Sequence, residues 1–360
     1  GSLYGGEISN CYNTGSIEGY YGMAGIVGYA VDASINNCYN SGNIGGASSA
    51  SNVAGICATS NKKMIIYDCY NTGNVNGTSN VGGIVGRLMN NSTVTYEATL
   101  TDCYNIGEVT GSAEKTGSVV GILYENDVFS VEFSNCYYLE NTASLSNGSA
   151  MLGVGVASGG TPTDSEGVTE SKTAEQFASG EVAYLLNEGV TNGTQVWYQT
   201  IETDAYPVFE GETVYLTSEY TDCSRTELVD TYYSNKGVIV APHIYNDNGY
   251  CSVCSDNKIP EYSDGYYLIG TVGELYWFAD YVNYENFADA RLIADITVNE
   301  NVLTEEGELN GDGSDFLEWT PIGYGQHFQE EIWWYEGVFL GDGYSISGLF
   351  FGQGCVYFDG

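Results

Sequence analysis

The densest set of metal-capable side chains lies between residues 221 and 262. Cys251-Ser252-Val253-Cys254 has the two-residue gap of a zinc knuckle, His243 stands shortly before it, and Cys223 lies further back. Three thiols and an imidazole are a donor set for tetrahedral structural zinc. A bound metal could fold a short spacer that has little core of its own. The same thiols also read as disulfide partners, if the chain is extracellular. A redox-active Cys-x-x-Cys is not indicated, because no βαβ pattern surrounds it.

A second set of reactive types recurs along the first 140 residues. Cys-Tyr-Asn occurs at Cys11-Tyr12-Asn13, Cys38-Tyr39-Asn40, Cys69-Tyr70-Asn71 and Cys103-Tyr104-Asn105, and returns altered at Cys136-Tyr137-Tyr138. Between these lie Gly25-Ile26-Val27-Gly28, Gly55-Ile56, Gly83-Ile84-Val85-Gly86 and Gly117-Ser118-Val119-Val120-Gly121. A period near 30 with strand-like content and glycine punctuation predicts a solenoid, each repeat being one coil. On coils stacked ~4.8 Å apart, the five cysteines form a ladder within reach of disulfide bonding. The alternative is a row of small buried hydrophobes, and Cys57 reads as core in either case. Tyr12, Tyr39, Tyr70, Tyr104 and Tyr137 follow the cysteines and so face the other way. With the thiols inward, these tyrosines form an outward stripe, either a sugar-stacking platform or a self-supporting stack of rings. Asn13, Asn40, Asn71 and Asn105 are expected to form an amide ladder at the turn.

The Cys-Tyr-Asn and Gly-Ile-Val-Gly signature resembles the GLUG motif over roughly residues 6–138. That motif is known from secreted and surface-anchored bacterial repeat proteins and from some IgA-specific zinc metallopeptidases. The resemblance implies a β-solenoid on a bacterial cell-surface or secreted protein. It implies no chemistry, because enzymes and non-enzymes share the motif.

Signals for catalysis are sparse. The histidines are His243 and His327, and no H-E-x-x-H, G-x-S-x-G or P-loop pattern occurs. A glycosidase needs only two placed carboxylates, but nothing in the sequence singles out a pair. With 47 acidic against 9 basic residues the net charge is −38, which disfavours nucleic acid and anionic lipid as partners. No apolar run approaches the ~18 residues of a membrane span. Asn310-Gly311-Asp312-Gly313-Ser314-Asp315 spaces oxygen ligands as calcium loops do. Pro321 occupies the position of the bidentate Glu, so it is no EF-hand, and an acidic turn is the plainer reading.

The elements that position these groups follow from local pattern. Residues 1–150 read as the solenoid. The opening Gly1-Ser2, followed at once by a partial repeat, reads as a cloning remnant on an excised fragment. Residues 151–220 break the period and read as a cap over the end of the solenoid. Thr173-Ala174-Glu175-Gln176 has capping-box form, and Gly180 favours two short helices over one. Trp197-Tyr198 and Tyr206 to Phe209 read as strands. Residues 221–262 are the Cys/His spacer. Residues 263–360 read as the start of a second solenoid: a strand at Tyr266 to Ile269, a capping box at Thr271 to Glu274, and a helix with Leu275, Phe278, Ala279 and Val282 on one face. A strand over Ala290 to Val298 and coils from Trp319 onward follow.

The expected fold is therefore mostly β, a parallel β-solenoid with short capping helices and a second solenoid begun. The expected function is a non-catalytic stalk or adhesin segment at a bacterial surface, contacting a glycan or protein. A carbohydrate-binding module using the Tyr stripe is one alternative. An accessory segment of a large secreted peptidase or glycan-active enzyme is another. Head-to-tail stacking of solenoid ends between copies is a further expectation. No cofactor is required; a structural zinc is the candidate at the Cys/His set, and calcium is a weaker one.

Overall fold

A computed structural model describes residues 1–112, 115–124, 128–140, 152–157, 169–285, 287–323 and 335–351. His327 and the glycine-rich end of the chain lie outside the described residues. The chain forms two compact units, Gly1–Ser218 with Thr231–Val238, and Glu219–Asp230 with Ile239–Gly360. Segment 1–150 and residues 151–218 thus share one unit. Residues 219–220 and segments 221–262 and 263–360 fall in the other, apart from residues 231–238.

The first unit is a parallel β-solenoid of about four turns. In one coil, Ile44–Ala54 forms a wall, Gly55 and Ile56 turn the corner, and the long strand Cys57–Asn71 bends around the next two walls. Each coil lies in register on the next: Cys38 on Cys69, Tyr70 on Tyr104, Cys103 on Cys136. Ile35, Ile66 and Leu100 stack inside with Cys38, Cys69, Cys103 and Cys136, all at most 1% exposed. A row of apolar side chains that one coil could not bury alone becomes a continuous core when coils stack.

Two local rules make the coil. Asn10, Asn37, Asp68, Asp102 and Asn135 each precede the ladder cysteine, and all have φ between 48° and 53°. That left-handed conformation costs most L-residues ~1–2 kcal/mol, and Asn and Asp tolerate it best. The corner is therefore written into every repeat as Asn or Asp before Cys. The second rule is close approach. A Cβ on Gly55 would lie 2.3 Å from the Gly83 carbonyl oxygen and 2.4 Å from Asn71 Cγ. Only glycine lets the turn strand sit on the asparagine ladder, which explains the recurring Gly-Ile-Val.

Segment 151–220 departs from expectation. Val154–Ala157 and Thr169–Lys172 add further strands to the stack, on Val120–Leu123 and Phe129–Leu139. The chain then turns onto the side of the solenoid rather than over its end. The capping box at Thr173 starts helix α1, Ala174–Ala178, with Gln176 N–H bonded to Thr173 Oγ1 at 3.1 Å. Gly180, at φ 90°, separates it from α2, Glu181–Leu186. Trp197-Tyr198 and Tyr206 to Phe209 do not form strands; they meet in one antiparallel bridge, Tyr198 to Val208.

In the second unit, Tyr266–Ile269, Ala290–Leu292 and Phe339–Leu340 stack in parallel, and Ile296–Thr297 pairs with Ile346–Ser347. These are coils of a second solenoid. The strand expected over Ala290 to Val298 is broken at residues 293–295 into two walls of one coil. Helix α3, Val272–Glu285, packs Leu275, Phe278, Ala279 and Val282 against these strands, each at most 2% exposed.

Candidate functional sites

The asparagine ladder is an unbroken amide chain. Asn13 Nδ2 donates to Asn40 Oδ1, Asn40 to Asn71 and Asn71 to Asn105, each at 2.7 Å. The second Nδ2 hydrogen of each donates to the carbonyl two residues on, at Gly15, Gly42, Gly73 and Gly107. Asn40, Asn71 and Asn105 are fully buried. Buried amides persist only with their hydrogen bonds met, and here each coil meets the next one's.

The cysteine ladder is a row of free thiols. Cys38, Cys69, Cys103 and Cys136 each donate to the carbonyl two residues back, at 3.0–3.3 Å. Burial pushes the Cys57 and Cys136 thiols up to about 12 and Cys103 to about 11. Cys11, on the first coil, is exposed.

The tyrosine ladder exists, but it is not an open platform. The rings of Tyr12 and Tyr39, Tyr39 and Tyr70, and Tyr70 and Tyr104 stack at 5.1, 4.9 and 5.1 Å, within 8° of parallel. Segment 173–214 covers them. Trp197 lies 5.5 Å from Tyr104, Phe209 5.2 Å from Tyr70, and Phe177 5.6 Å from Tyr104. Tyr104 is fully buried and donates its hydroxyl to the Pro207 carbonyl. Tyr70 and Tyr137 are buried, Tyr39 is half-buried, and Tyr12 is 66% exposed. As a ligand surface the stripe is thus reduced to its first ring. The reason is hydrophobic: a stack of rings is a large apolar face, and the aromatic residues after position 176 bury it.

A different concavity lies on the same unit. A groove of ≈ 840 Å³ is lined by Tyr20, Glu18, Asn43, Asn74 and Asn76 with the glycines between them. It sets side-chain amides beside an exposed ring, a combination that suits sugar hydroxyls.

The Cys/His set converges in the second unit. A small hairpin pairs Tyr245 with Cys251 and Tyr250 with Asn257, which carries His243 back onto the Cys-x-x-Cys turn. Cys223 arrives from Glu219–Asp230. The four donor atoms all lie within 4.8 Å of one another. Cys223 Sγ is 3.4 Å from Cys251 Sγ, and His243 Nδ1 is 3.2 Å from Cys254 Sγ. Sulfurs ~2.3 Å from a tetrahedral centre stand ~3.8 Å apart, so the cluster has the size of one metal shell. The Cys251 sulfur faces the backbone N–H groups of Cys254 and Val253, which hold its thiol down at about 5. Burial, with Cys251 alongside, pushes the Cys223 thiol up to about 12. Among the described residues this is the one convergence of three or more Cys, His, Asp or Glu donors. In the calcium candidate, Asp312 instead accepts from Ser314 N and Oγ, at 3.0 and 2.6 Å, as an acidic turn does. No described helix is long and apolar enough to cross a membrane.

Stacked coils and continuous side-chain ladders define a parallel β-solenoid protein. No family model matches the sequence, and no curated protein matches it. Among solved structures, the chain is similar to a Bacteroides ovatus protein provisionally described as an immunoglobulin A1 protease, at 26% identity and TM-score 0.39. The match covers 57% of each chain, so it spans little more than half the length of that protein.

Proposed function

We propose that the chain is a non-catalytic structural segment of an extracellular bacterial surface protein, a stalk that holds adhesive or enzymatic parts away from their anchor. The observation that carries this reading is the register. The same cysteine, tyrosine and asparagine recur coil on coil, and all three ladders serve stacking. Nearest-neighbour stacking makes stiff length from short repeats. The aromatic cover adds a lateral strap, since Trp197, Phe177 and Phe209 reach several coils at once. The GLUG resemblance supports the extracellular bacterial setting. An accessory segment of a large secreted enzyme would play the same mechanical part.

Single-molecule pulling on the whole chain tests the reading. A stalk predicts that the first unit resists until the strap residues 173–214 detach, and then releases its coils in steps. Release of coils at low force with the strap still attached contradicts it. A carbohydrate-binding role is the second reading, favoured by the groove at Tyr20 and Asn43. Saturable glycan binding, lost in Tyr20→Ala but retained in Tyr70→Phe, would establish it.

A further inference from the structure

We infer that Cys223, His243, Cys251 and Cys254 bind one structural zinc ion, and that this ion holds the 239–258 loop on the N-terminal turn of α3. Two independent observations meet here. The first is the donor shell just described, gathered from three separate stretches of chain. His243 presents Nδ1 to the cluster and turns Nε2 toward Asp256 Oδ2, 4.0 Å away. A ligating imidazole whose far nitrogen faces a carboxylate is the usual second layer of a zinc site. Behind Cys254 the chain turns through Ser255 at φ 64°, with Ser255 N–H bonded to the Cys251 carbonyl at 2.9 Å. That reversal wraps the backbone around the sulfurs and aims N–H groups at Cys251.

The second observation is how little apolar core this part of the chain has. Across 239–258 the buried residues are Gly249 and Cys251, with the half-buried Tyr250 ring resting on the core of the second unit, and in Glu219–Asp230 the buried residue is Cys223. A segment of this size with so little apolar core needs a staple to hold one conformation. Its shape is nonetheless specific at the helix. Gly273 N–H donates to the Asn248 carbonyl at 2.7 Å, and a Cβ on Gly273 would lie 2.0 Å from the Gly249 carbonyl oxygen. Lys258 Nζ pairs with Glu274 at 2.7 Å, and Glu274 also accepts from Gly270 N–H at 2.9 Å. The loop supplies a carbonyl acceptor to a first-turn N–H that would otherwise lack one. A metal that fixes the knuckle therefore fixes the start of the helix. A disulfide fits less well: it would join two of the three thiols and leave the third beside the imidazole with no role.

The test uses the whole chain, purified without chelator. Elemental analysis should give about one zinc per chain. Cobalt(II) exchanged for zinc should show sulfur-to-cobalt charge transfer and the visible bands of a tetrahedral site. Asp256→Asn keeps all four ligands and should weaken zinc binding by about tenfold. Cys11→Ser should leave it unchanged. Chelation should speed hydrogen exchange at Gly270 and Gly273 while the exchange at Cys69 and Cys103 stays slow. Absence of metal with two of the three thiols blocked overturns the inference in favour of a disulfide. Metal that binds octahedrally, or exchange at Gly273 that ignores chelation, overturns it too. If Cys251→Ser does not fold, the cobalt spectrum of the unaltered chain still decides.

Discussion

Trp197 Nε1 donates to Asp68 Oδ1 at 3.0 Å, across 129 residues of sequence. Asp68 is the left-handed corner residue before Cys69, and Trp197 is the fully buried centre of the aromatic cover. One hydrogen bond thus joins the corner of a coil to the strap that seals its tyrosines.

This contact makes stability depend on pH. Burial, and then the charge of Asp102, push the Asp68 carboxyl up to about 6, against the opposing pull of the Trp197 N–H. The unfolded carboxyl titrates near 3.8. Between these values the native chain holds more protons than the unfolded chain, so stability falls as pH rises from about 4 to about 6 and levels off above. The loss is on the order of 2 kcal/mol. Asp68→Asn should flatten that fall while its amide oxygen still accepts from Trp197. Burial also raises Asp102, so some slope remains. Urea titrations at pH 4.5 and 7.5 read the difference. An unchanged slope in the variant would count against Asp68 as its source.

Removing the indole should cost more than removing its hydrogen bond. Trp197→Ala is expected to destabilise the first unit by about 3–5 kcal/mol, as loss of a fully buried aromatic does. Trp197→Phe keeps most of the packing and loses a bond to a charged acceptor, about 1.5–3 kcal/mol. Chemical denaturation orders the two. The Ala variant should also bind a hydrophobic dye, because Tyr70 and Tyr104 lose their cover.

The asparagine ladder predicts a gradient by position. Asn71→Ala removes two donated bonds and one accepted bond in a dry interior, an expected loss of about 2–3 kcal/mol. Asn71→Asp is expected to be worse, since a carboxylate cannot donate and would face the Asn105 oxygen. Asn13→Ala, at the solvent-facing end, should cost under about 1 kcal/mol. Equal losses in Asn71→Ala and Asn13→Ala would mean that the ladder does not act through burial.

Thiol accessibility separates the cysteines. Cys38, Cys57, Cys69, Cys103 and Cys136 are buried with thiols raised far above the ordinary value, so alkylation at pH 8 in native buffer should spare them and modify Cys11. Mass spectrometry of the digest reports each site. Ready labelling of Cys69 in folded protein would contradict the stacked core.

The repeat was legible because it is local and periodic. The Cys-Tyr-Asn spacing predicts the ladder registers, Thr173 and Gly180 predict two short helices, and Leu275, Phe278, Ala279 and Val282 predict the buried face of α3. The four ligand-type residues of the Cys/His set were also readable, since a knuckle spacing is a short-range pattern. Less visible was the Asn or Asp before each cysteine. It was present in every repeat, but its meaning lies in a backbone angle.

The sequence alone determined that coils form and which residue of each coil meets its counterpart, because both depend on a repeat and on glycine, Asn and Asp at fixed offsets. Only the tertiary structure decided what covers the tyrosine stripe. Strand alternation places Tyr70 and Tyr104 opposite the cysteines, but that side becomes an interior only when Phe177, Trp197 and Phe209 fold back onto it. Such long-range burial follows from the free energy of removing a large apolar face from water, and no local pattern names the partner. The convergence of Cys223 with His243 was settled the same way, by a hairpin and a chain reversal that spacing does not encode.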